Sequence, residues 1–327
     1  MSLERSHHGR KVGLRLAVLL ALAIGACVLR LMVGNGSLAW AESRAIFDLR
    51  LGRVLSGAAV GSGLAIAGVL LQSLLRNPLA APDLLGLSAG AGFAVTLFTL
   101  LTGAAIGVAS SGVPALLGSM AVLGFVWVLS QRRGLIDPVT MILVGVILSV
   151  LLGAGASLLR TLLPDQGQSA ARWMMGSISD SVSRPTVYAV WGLVIVTGAV
   201  SWSMGRRFDA ASLGEDEARS SGVPVGAVRA VQLVGAGVLT AGTILLAGPV
   251  GFVGLVCPHA ARIILGPSHR ALLIGAACCG IALVVGADAG VKSMPGPGGR
   301  VPVGVITSLI GGPIFLVILL RSRRAWS

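Results

Sequence analysis

The sequence predicts an all-α, polytopic membrane protein with about ten transmembrane helices, and three observations indicate that class. The mean hydropathy is +0.91, and only 11% of the residues are charged, whereas about a quarter are charged in typical soluble domains. Apolar runs of roughly 18 residues or more recur along the chain. The 47 glycines suit helices that pack closely in lipid, because small residues let helix backbones approach each other.

The apolar runs divide the chain into nine long segments and one short one, all within a single transmembrane domain spanning 1–327. The predicted helices cover 12–33, 53–75, 84–103, 113–130, 138–160, 186–204, 229–247, 252–265, 271–289 and 302–320. The segment 252–265 is the shortest of them. It is included because the charge distribution requires an even number of spans.

The first helix has two interpretations. A basic start, an apolar run and Ala39-Trp40-Ala41 also resemble a cleaved signal peptide. The run from Val12 to Val33 is longer than the apolar part of such a peptide, and Arg30 lies inside it. We therefore expect a retained first helix.

Basic residues set the expected orientation. With the N-terminus in the cytoplasm, sixteen of the 25 Lys and Arg residues fall on the cytoplasmic side and nine on the other. This bias predicts that both termini are cytoplasmic. The net charge of +13 does not indicate nucleic-acid binding, because no basic run carries interleaved aromatic residues.

Prolines interrupt the apolar pattern at two places. In RNPLAAPDLLG, Pro78 and Pro82 predict a break between two helices, Asn77 supplies a side chain for the freed backbone groups, and Asp83 is placed to cap the next helix. Pro258 predicts a second break beside His259. Basic-flanked Gly/Ala-rich helices precede both places, which is a faint inverted repeat of the kind that transporters contain.

The longest hydrophilic stretch, 206–229, predicts two very short helices on the membrane surface. Glu215 and its acidic neighbours fall in the first turn of one of them, where the helix dipole favours negative charge. Gly222 and Pro224 then impose a turn. The segment is either an ordinary loop or a docking element for a cytoplasmic partner. We call residues 206–229 the coupling segment.

Five motifs resemble the permease subunits of ABC importers for iron chelates, haem and cobalamin. They follow in family order from about Arg50 onward and are RNPLAAPDLLGLSAGAG, RWMMGSIS, LGEDEARSSGVPV, GPVGFVGLVCPHAARIILGPSHR and VPVGVITSLIGGPIFLVILL. The resemblance implies ten helices per subunit, a second permease subunit, identical or paralogous, two cytoplasmic ATPase subunits, and a soluble binding protein outside. It also implies ATPase contacts from one set of residues: Leu213, Gly214, Glu215, Ala218, Gly222 and Val223.

The same resemblance implies a docking site for the binding protein at Arg50, Arg53, Lys292 and Arg300; interfacial residues that reach the lipid headgroups are the alternative. Three positions depart from the family pattern, and at one of them Lys292 stands where the family usually has Arg. Gly52 replaces a proline, and Arg300 stands where the family has Glu, which reverses a charge and makes the outer rim more basic. Asp288 matches a family Asp, and we expect it to hydrogen-bond at a helix end.

No catalytic residue, bound metal or cofactor is predicted for this chain. It contains no GxxxxGK[ST] motif, so ATP and magnesium are expected on the separate ATPase subunit. His259 lacks a second ligand at metal or haem spacing, and the four cysteines have no CxxC spacing. The predicted cargo is a ferric siderophore, with haem or cobalamin as alternatives. An ion-coupled transporter is disfavoured because few acidic residues lie in mid-helix, and a channel would not need the coupling segment.

Overall fold

The structure is a computed structural model that describes residues 2–34, 38–103, 108–132, 134–163, 173–180, 182–293 and 301–323. Within these residues it contains twelve α-helices, one 3-10 helix and a two-stranded hairpin. The α-helices are α1 Ser2–Met32, α2 Arg44–Leu74, α3 Leu87–Thr102, α4 Val108–Leu129, α5 Pro138–Thr161, α6 Arg184–Ser203, α7 Gly205–Leu213, α8 Glu215–Ser220, α9 Val225–Ala247, α10 Val253–Leu265, α11 His269–Ser293 and α12 Val303–Arg323. The 3-10 helix is Pro82–Leu85, and strands β1 Gln131–Arg132 and β2 Leu135–Ile136 pair antiparallel.

The predicted fold class is confirmed. In the described part of the chain, seven helices are long and apolar enough to cross a membrane, and three shorter apolar helices lie at 87–102, 253–265 and 303–317. The short segment 252–265 is therefore a helix, as predicted. The start of α2 was placed too late, because its first turns are polar: Ser43 caps it, with its hydroxyl accepting a hydrogen bond from the N–H of Ile46 at 3.3 Å.

Helix α2 lies at the centre of the molecule. In its most apolar window, 94% of the residues are buried, against 11% for the corresponding windows of α1 and α5. It packs against α9, α10 and α11, while α3, α4 and α5 form a second group of contacting helices. The buried side chains of α2 are mostly small or aliphatic, so its packing depends on close backbone approach.

Glycines set the spacing between α2 and α11. A Cβ atom built on Gly61 would lie 2.2 Å from the backbone oxygen of Gly280, and one on Gly280 would lie 2.1 Å from the oxygen of Gly61. Backbone atoms cannot move aside as a flexible side chain does. A larger residue at either position must separate the two helices.

We expect Gly61→Leu to lower the thermal unfolding temperature of the detergent-solubilised protein, since overpacking typically costs about 1–3 kcal/mol. Gly124→Leu is the matched control, because a Cβ atom on Gly124 of α4 meets no atom within 4 Å. Fluorescence-monitored unfolding compares the two variants. Equal unfolding temperatures would show that the α2–α11 contact tolerates separation.

The stretch 75–86 forms the predicted break. Asn77 accepts a hydrogen bond from the N–H of Leu79 at 2.9 Å through its side-chain oxygen, and Pro82 opens the 3-10 helix. Pro78 lies in the turn between them. The predicted cap at Asp83 was wrong. Gly86, with φ of 75°, precedes α3 instead, and Asp83 accepts a hydrogen bond from the Ser88 hydroxyl.

Pro258 does not break its helix, which corrects the prediction at that position. Helix α10 continues through Pro258, and the interruption lies earlier, between Gly248 and Phe252. A proline removes the hydrogen bond to the carbonyl four residues before it, here that of Gly254. Gly68 of α2 packs directly on that carbonyl, where an added Cβ atom would lie 1.9 Å from the oxygen. Pro258 therefore lies inside a continuous helix, and the backbone of α2 packs closely against its first turn.

Candidate functional site

The coupling segment folds as two short helices joined by Gly214. Helix α7 precedes it, α8 follows it, and a turn at Gly222, with φ of 72°, leads into α9. The N–H of Val223 donates to the oxygen of Ala218 at 2.9 Å and closes this turn. The prediction of two short helices is confirmed.

The predicted ATPase contacts do not all face outward. Leu213 is 78% exposed, which is unusual for a leucine outside the lipid-facing helices, and Gly222 is also exposed. Gly214, Glu215 and Val223 are half-buried. Ala218 is fully buried against the rest of the chain, and its ATPase contact stays a prediction.

Two contacts fix α7 to neighbouring elements. Arg76, in the loop after α2, donates to the oxygen of Ala211 at 2.8 Å. Asp209 accepts a hydrogen bond from the N–H of His269 at the start of α11 and lies 2.6 Å from its Nδ1. Burial alone would raise the pKa of Asp209, but the hydrogen bonds from His269 outweigh it, and the net shift is downward. Asp209 is therefore ionised at neutral pH.

Glu215 connects α8 to α9. Its carboxylate lies 2.7 Å from the guanidinium of Arg219 and 2.7 Å from that of Arg229. The hydrogen bond from Arg229 lowers the pKa of Glu215 below its ordinary value, with smaller contributions from the charges of Arg219 and Arg76. A carboxylate that faces three guanidinium groups is the electrostatic centre of the coupling segment.

A buried ion cluster lies near the ends of α2 and α11 that are remote from the coupling segment, and we call it the outer cluster. Asp288 of α11 is 2.5 Å from Arg30 Nε and 2.5 Å from Arg53 Nη2, and all three side chains are at most 6% exposed. Asp180 adds a more exposed contact to Arg53 Nη1 at 3.0 Å. The cluster joins α1, α2 and α11. Asp288 thus forms hydrogen bonds near a helix end, as expected.

Arg53 is a buried member of the outer cluster. Its guanidinium pairs with Asp288 and Asp180 within this chain, and its docking role stays a prediction. Arg50 is half-buried and donates to the backbone oxygens of Leu31 and Ala39, both at 2.7 Å. Lys292 is half-buried at the end of α11, and Arg300 lies outside the described residues.

A cleft of about 390 Å³ opens beside the outer cluster. Its charged lining comprises Arg30, Arg50, Arg53 and Lys292, with Glu42 and Asp180. Sequence reasoning did not identify Arg30 or Asp180 as part of this region. A signal existed for Arg30, because an arginine inside an apolar helix normally requires an acidic partner. The position of that partner, 258 residues later, is set only by the fold.

Metal ligands are not grouped in the part of the chain that the structure describes. No set of three or more His, Cys, Asp and Glu side chains there is placed to hold a metal ion. His259 lies within α10, and its Nδ1 has no hydrogen-bond partner among the described residues. The histidine is therefore a helical residue and does not lie at a proline-induced turn.

A family model gives the decisive comparison. The model of the FecCD transport family matches residues 14–321. The chain belongs to the FecCD transport family. It is a multi-pass membrane permease of the ABC importer type, and such subunits are not enzymes.

Relatives and solved structures agree with that assignment. The chain is 38% identical, over 84% of its length and 73% of the relative's, to the permease protein of a cobalamin import system from Halobacterium salinarum. It is 34% identical, over 94% of its length and 93% of the relative's, to the permease protein of the ferric enterobactin transport system from Escherichia coli. A solved inward-facing structure, described as a metal-chelate type ABC transporter, matches with a TM-score of 0.83 and 28% identity, covering 94% of this chain and 99% of that one.

Proposed function

We propose that this FecCD permease forms the membrane path of an ATP-driven importer that receives a ferric siderophore from a soluble binding protein. The observation that supports the importer part is the coupling segment. Two short helices on one face contact the loop after α2 through Arg76 and the start of α11 through Asp209. A force applied to this segment therefore reaches several membrane helices at once.

The partners of the proposal are those that membership of the family implies. Two ATPase subunits, carrying ATP and magnesium, would contact the exposed residues around Leu213 and Gly222, and a second permease subunit, identical or paralogous, would complete the path. Both termini would be cytoplasmic in a bacterial inner membrane, with 1–327 forming one permease domain. Closure of the ATPases would push the coupling segment and shift the helices between two states. The chain itself would bind no cofactor.

The proposed siderophore cargo is supported by the charge of the residues that line the outer cleft. Basic residues outnumber acidic ones in the lining of the outer cleft, and three of the predicted docking residues, Arg50, Arg53 and Lys292, belong to that lining. A basic mouth favours encounter with an anionic chelate or an acidic binding protein. Relatives of similar identity carry names for different cargoes, so identity alone does not select one. An ion-coupled mechanism is less consistent, because the buried acid Asp288 is already paired with arginines.

Uptake into proteoliposomes tests the proposal. The permease is reconstituted with its ATPase and binding protein, and radiolabelled ferric siderophores, haem and cobalamin are supplied in turn. We expect ATP-dependent uptake of a ferric siderophore and little of the other two. Uptake of haem or cobalamin instead would contradict the siderophore assignment only. Uptake that persists without ATP hydrolysis, or that follows an ion gradient, would contradict the importer assignment.

A further inference from the structure

Arg229 contacts two elements with one guanidinium group. It lies in the second turn of α9, where Nη2 donates to Glu215 Oε2 at 2.7 Å and Nη1 donates to the backbone oxygen of Ile136 at 3.0 Å. The side chain of Arg229 is 14% exposed, whereas that of Arg219, the other partner of Glu215, is 56% exposed. Arg229 is therefore the sheltered contact and Arg219 the solvated one.

The Ile136 contact leads directly to a membrane helix. Strand β2 ends at Ile136, and the next residue, Asp137, caps α5 by accepting a hydrogen bond from the N–H of Thr140 at 3.0 Å. The N–H of Asp137 donates to the oxygen of Ser130 at 2.8 Å, which closes the hairpin at its base. The hairpin and the first turn of α5 are thus one hydrogen-bonded unit.

A second contact holds the hairpin on α9. The side chain of Leu135 packs over Gly226, where an added Cβ atom would lie 3.1 Å from Leu135 Cδ2. Leu135 and Arg229 are thus adjacent contacts along the start of α9. Between them and α8 lies a cleft of about 470 Å³, whose charged lining comprises Arg132, Asp137, Glu215, Arg219 and Arg229.

We infer that Arg229 is a positioning residue that transmits movement of the coupling segment to the hairpin and hence to α5. This inference rests on the proposed importer function. A planar guanidinium donates through two nitrogens in a fixed geometry, so displacing Glu215 displaces the oxygen of Ile136. A lysine offers a single ammonium group on a flexible stem and cannot hold both acceptors in that geometry. Among the described residues, the side-chain hydrogen bond and the ion pair of Arg219 go to the same carboxylate, that of Glu215 in α8.

The test measures substrate molecules imported per ATP hydrolysed in proteoliposomes that contain the full transporter. For Arg229→Gln we expect this ratio to fall by about tenfold, within the usual range of coupling between sites. For Arg229→Lys we expect a ratio between that of Arg229→Gln and that of the wild type. Arg219→Gln removes the other arginine from Glu215 and is expected to keep the wild-type ratio. Co-purification of the ATPase shows that each variant still assembles.

A double variant distinguishes a direct coupling between Glu215 and Arg229 from two independent effects. If Glu215 and Arg229 act through each other, the combination Glu215→Gln with Arg229→Gln gives the same ratio as Arg229→Gln alone. A further multiplicative loss would contradict the link. A wild-type ratio in Arg229→Gln would overturn the inference outright, while the importer assignment would survive because wild-type uptake still depends on ATP.

A spectroscopic readout keeps the inference testable if Arg229→Gln does not insert. A nitroxide label at Arg132→Cys on the exposed hairpin reports its mobility. We expect the spectrum to change when the ATPases are trapped with nucleotide and vanadate, and the change to be lost in Glu215→Gln, which leaves Arg229 in place. A nucleotide-dependent change that persists in Glu215→Gln would show that the hairpin moves without this link.

Discussion

Asp288→Asn is expected to produce the largest loss of stability of any single charge removal in the described helices. The variant leaves the buried guanidinium groups of Arg30 and Arg53 without their shared carboxylate. Removing one partner of a buried ion pair costs about 3–5 kcal/mol, because the remaining charge stays desolvated. We expect a strongly lowered unfolding temperature in detergent or nanodiscs, measured by fluorescence-detected size exclusion after heating.

Two controls separate this charge effect from a packing effect. Asp180→Asn removes a carboxylate that also contacts Arg53 but is 41% exposed, so we expect a much smaller change. Replacing the whole cluster with Arg30→Met, Arg53→Met and Asp288→Leu removes every buried charge, and we expect this triple variant to be more stable than Asp288→Asn. A triple variant as unstable as the single one would show that shape, and not charge, limits stability here.

Glu215→Arg is expected to uncouple ATP hydrolysis from uptake. The substitution places a fourth guanidinium among Arg76, Arg219 and Arg229, so the contact that joins α8 to α9 becomes repulsive. We expect uptake to fall by about 10–100-fold while the protein still inserts and the ATPase subunits still hydrolyse ATP. Uptake and phosphate release are measured in the same proteoliposomes.

Glu217→Arg is the matched control for Glu215→Arg. It makes the same charge change two residues away on α8, where the side chain is exposed and forms no ion pair among the described residues. A loss of uptake equal to that of Glu215→Arg would assign the effect to net charge.

Gly214 offers an independent probe of the same segment. The three described atoms nearest to a Cβ atom built there all belong to the flexible carboxylate of Glu217, so Gly214→Ala is expected to be tolerated. Gly214→Trp adds bulk at the α7–α8 junction and is expected to lose uptake. Normal uptake in both Gly214→Trp and Glu215→Arg would contradict the coupling role.

The helices were predictable because hydropathy is a local property. A helix in lipid must satisfy its backbone hydrogen bonds internally, so length and apolar composition identify each span without knowledge of its neighbours. The short helices of the coupling segment were predictable for a related reason, since acidic residues in a first turn and a Gly-x-Pro turn are local signals. The break at RNPLAAP follows equally from Asn77, Pro78 and Pro82.

The helix break predicted at Pro258 was wrong, because local sequence does not show which other helices pack there. Pro258 has the chemistry of a helix breaker, yet Gly68 of α2 packs on the carbonyl that the proline leaves unpaired. The fold also decides the burial of Ala218 and the pairing of Arg53 with Asp288 and Asp180. The predicted partner contacts of these two residues stay predictions.

The sequence by itself determined the class of protein, the number and order of its helices, and the position of the coupling segment. These properties depend on composition and on residues within a few positions of each other. The tertiary structure alone decided which distant charges pair: Arg30 with Asp288, and Arg229 with both Glu215 and the backbone of Ile136. The physical reason is that a buried charge needs a partner within hydrogen-bonding distance, and helix packing determines which residue occupies that distance.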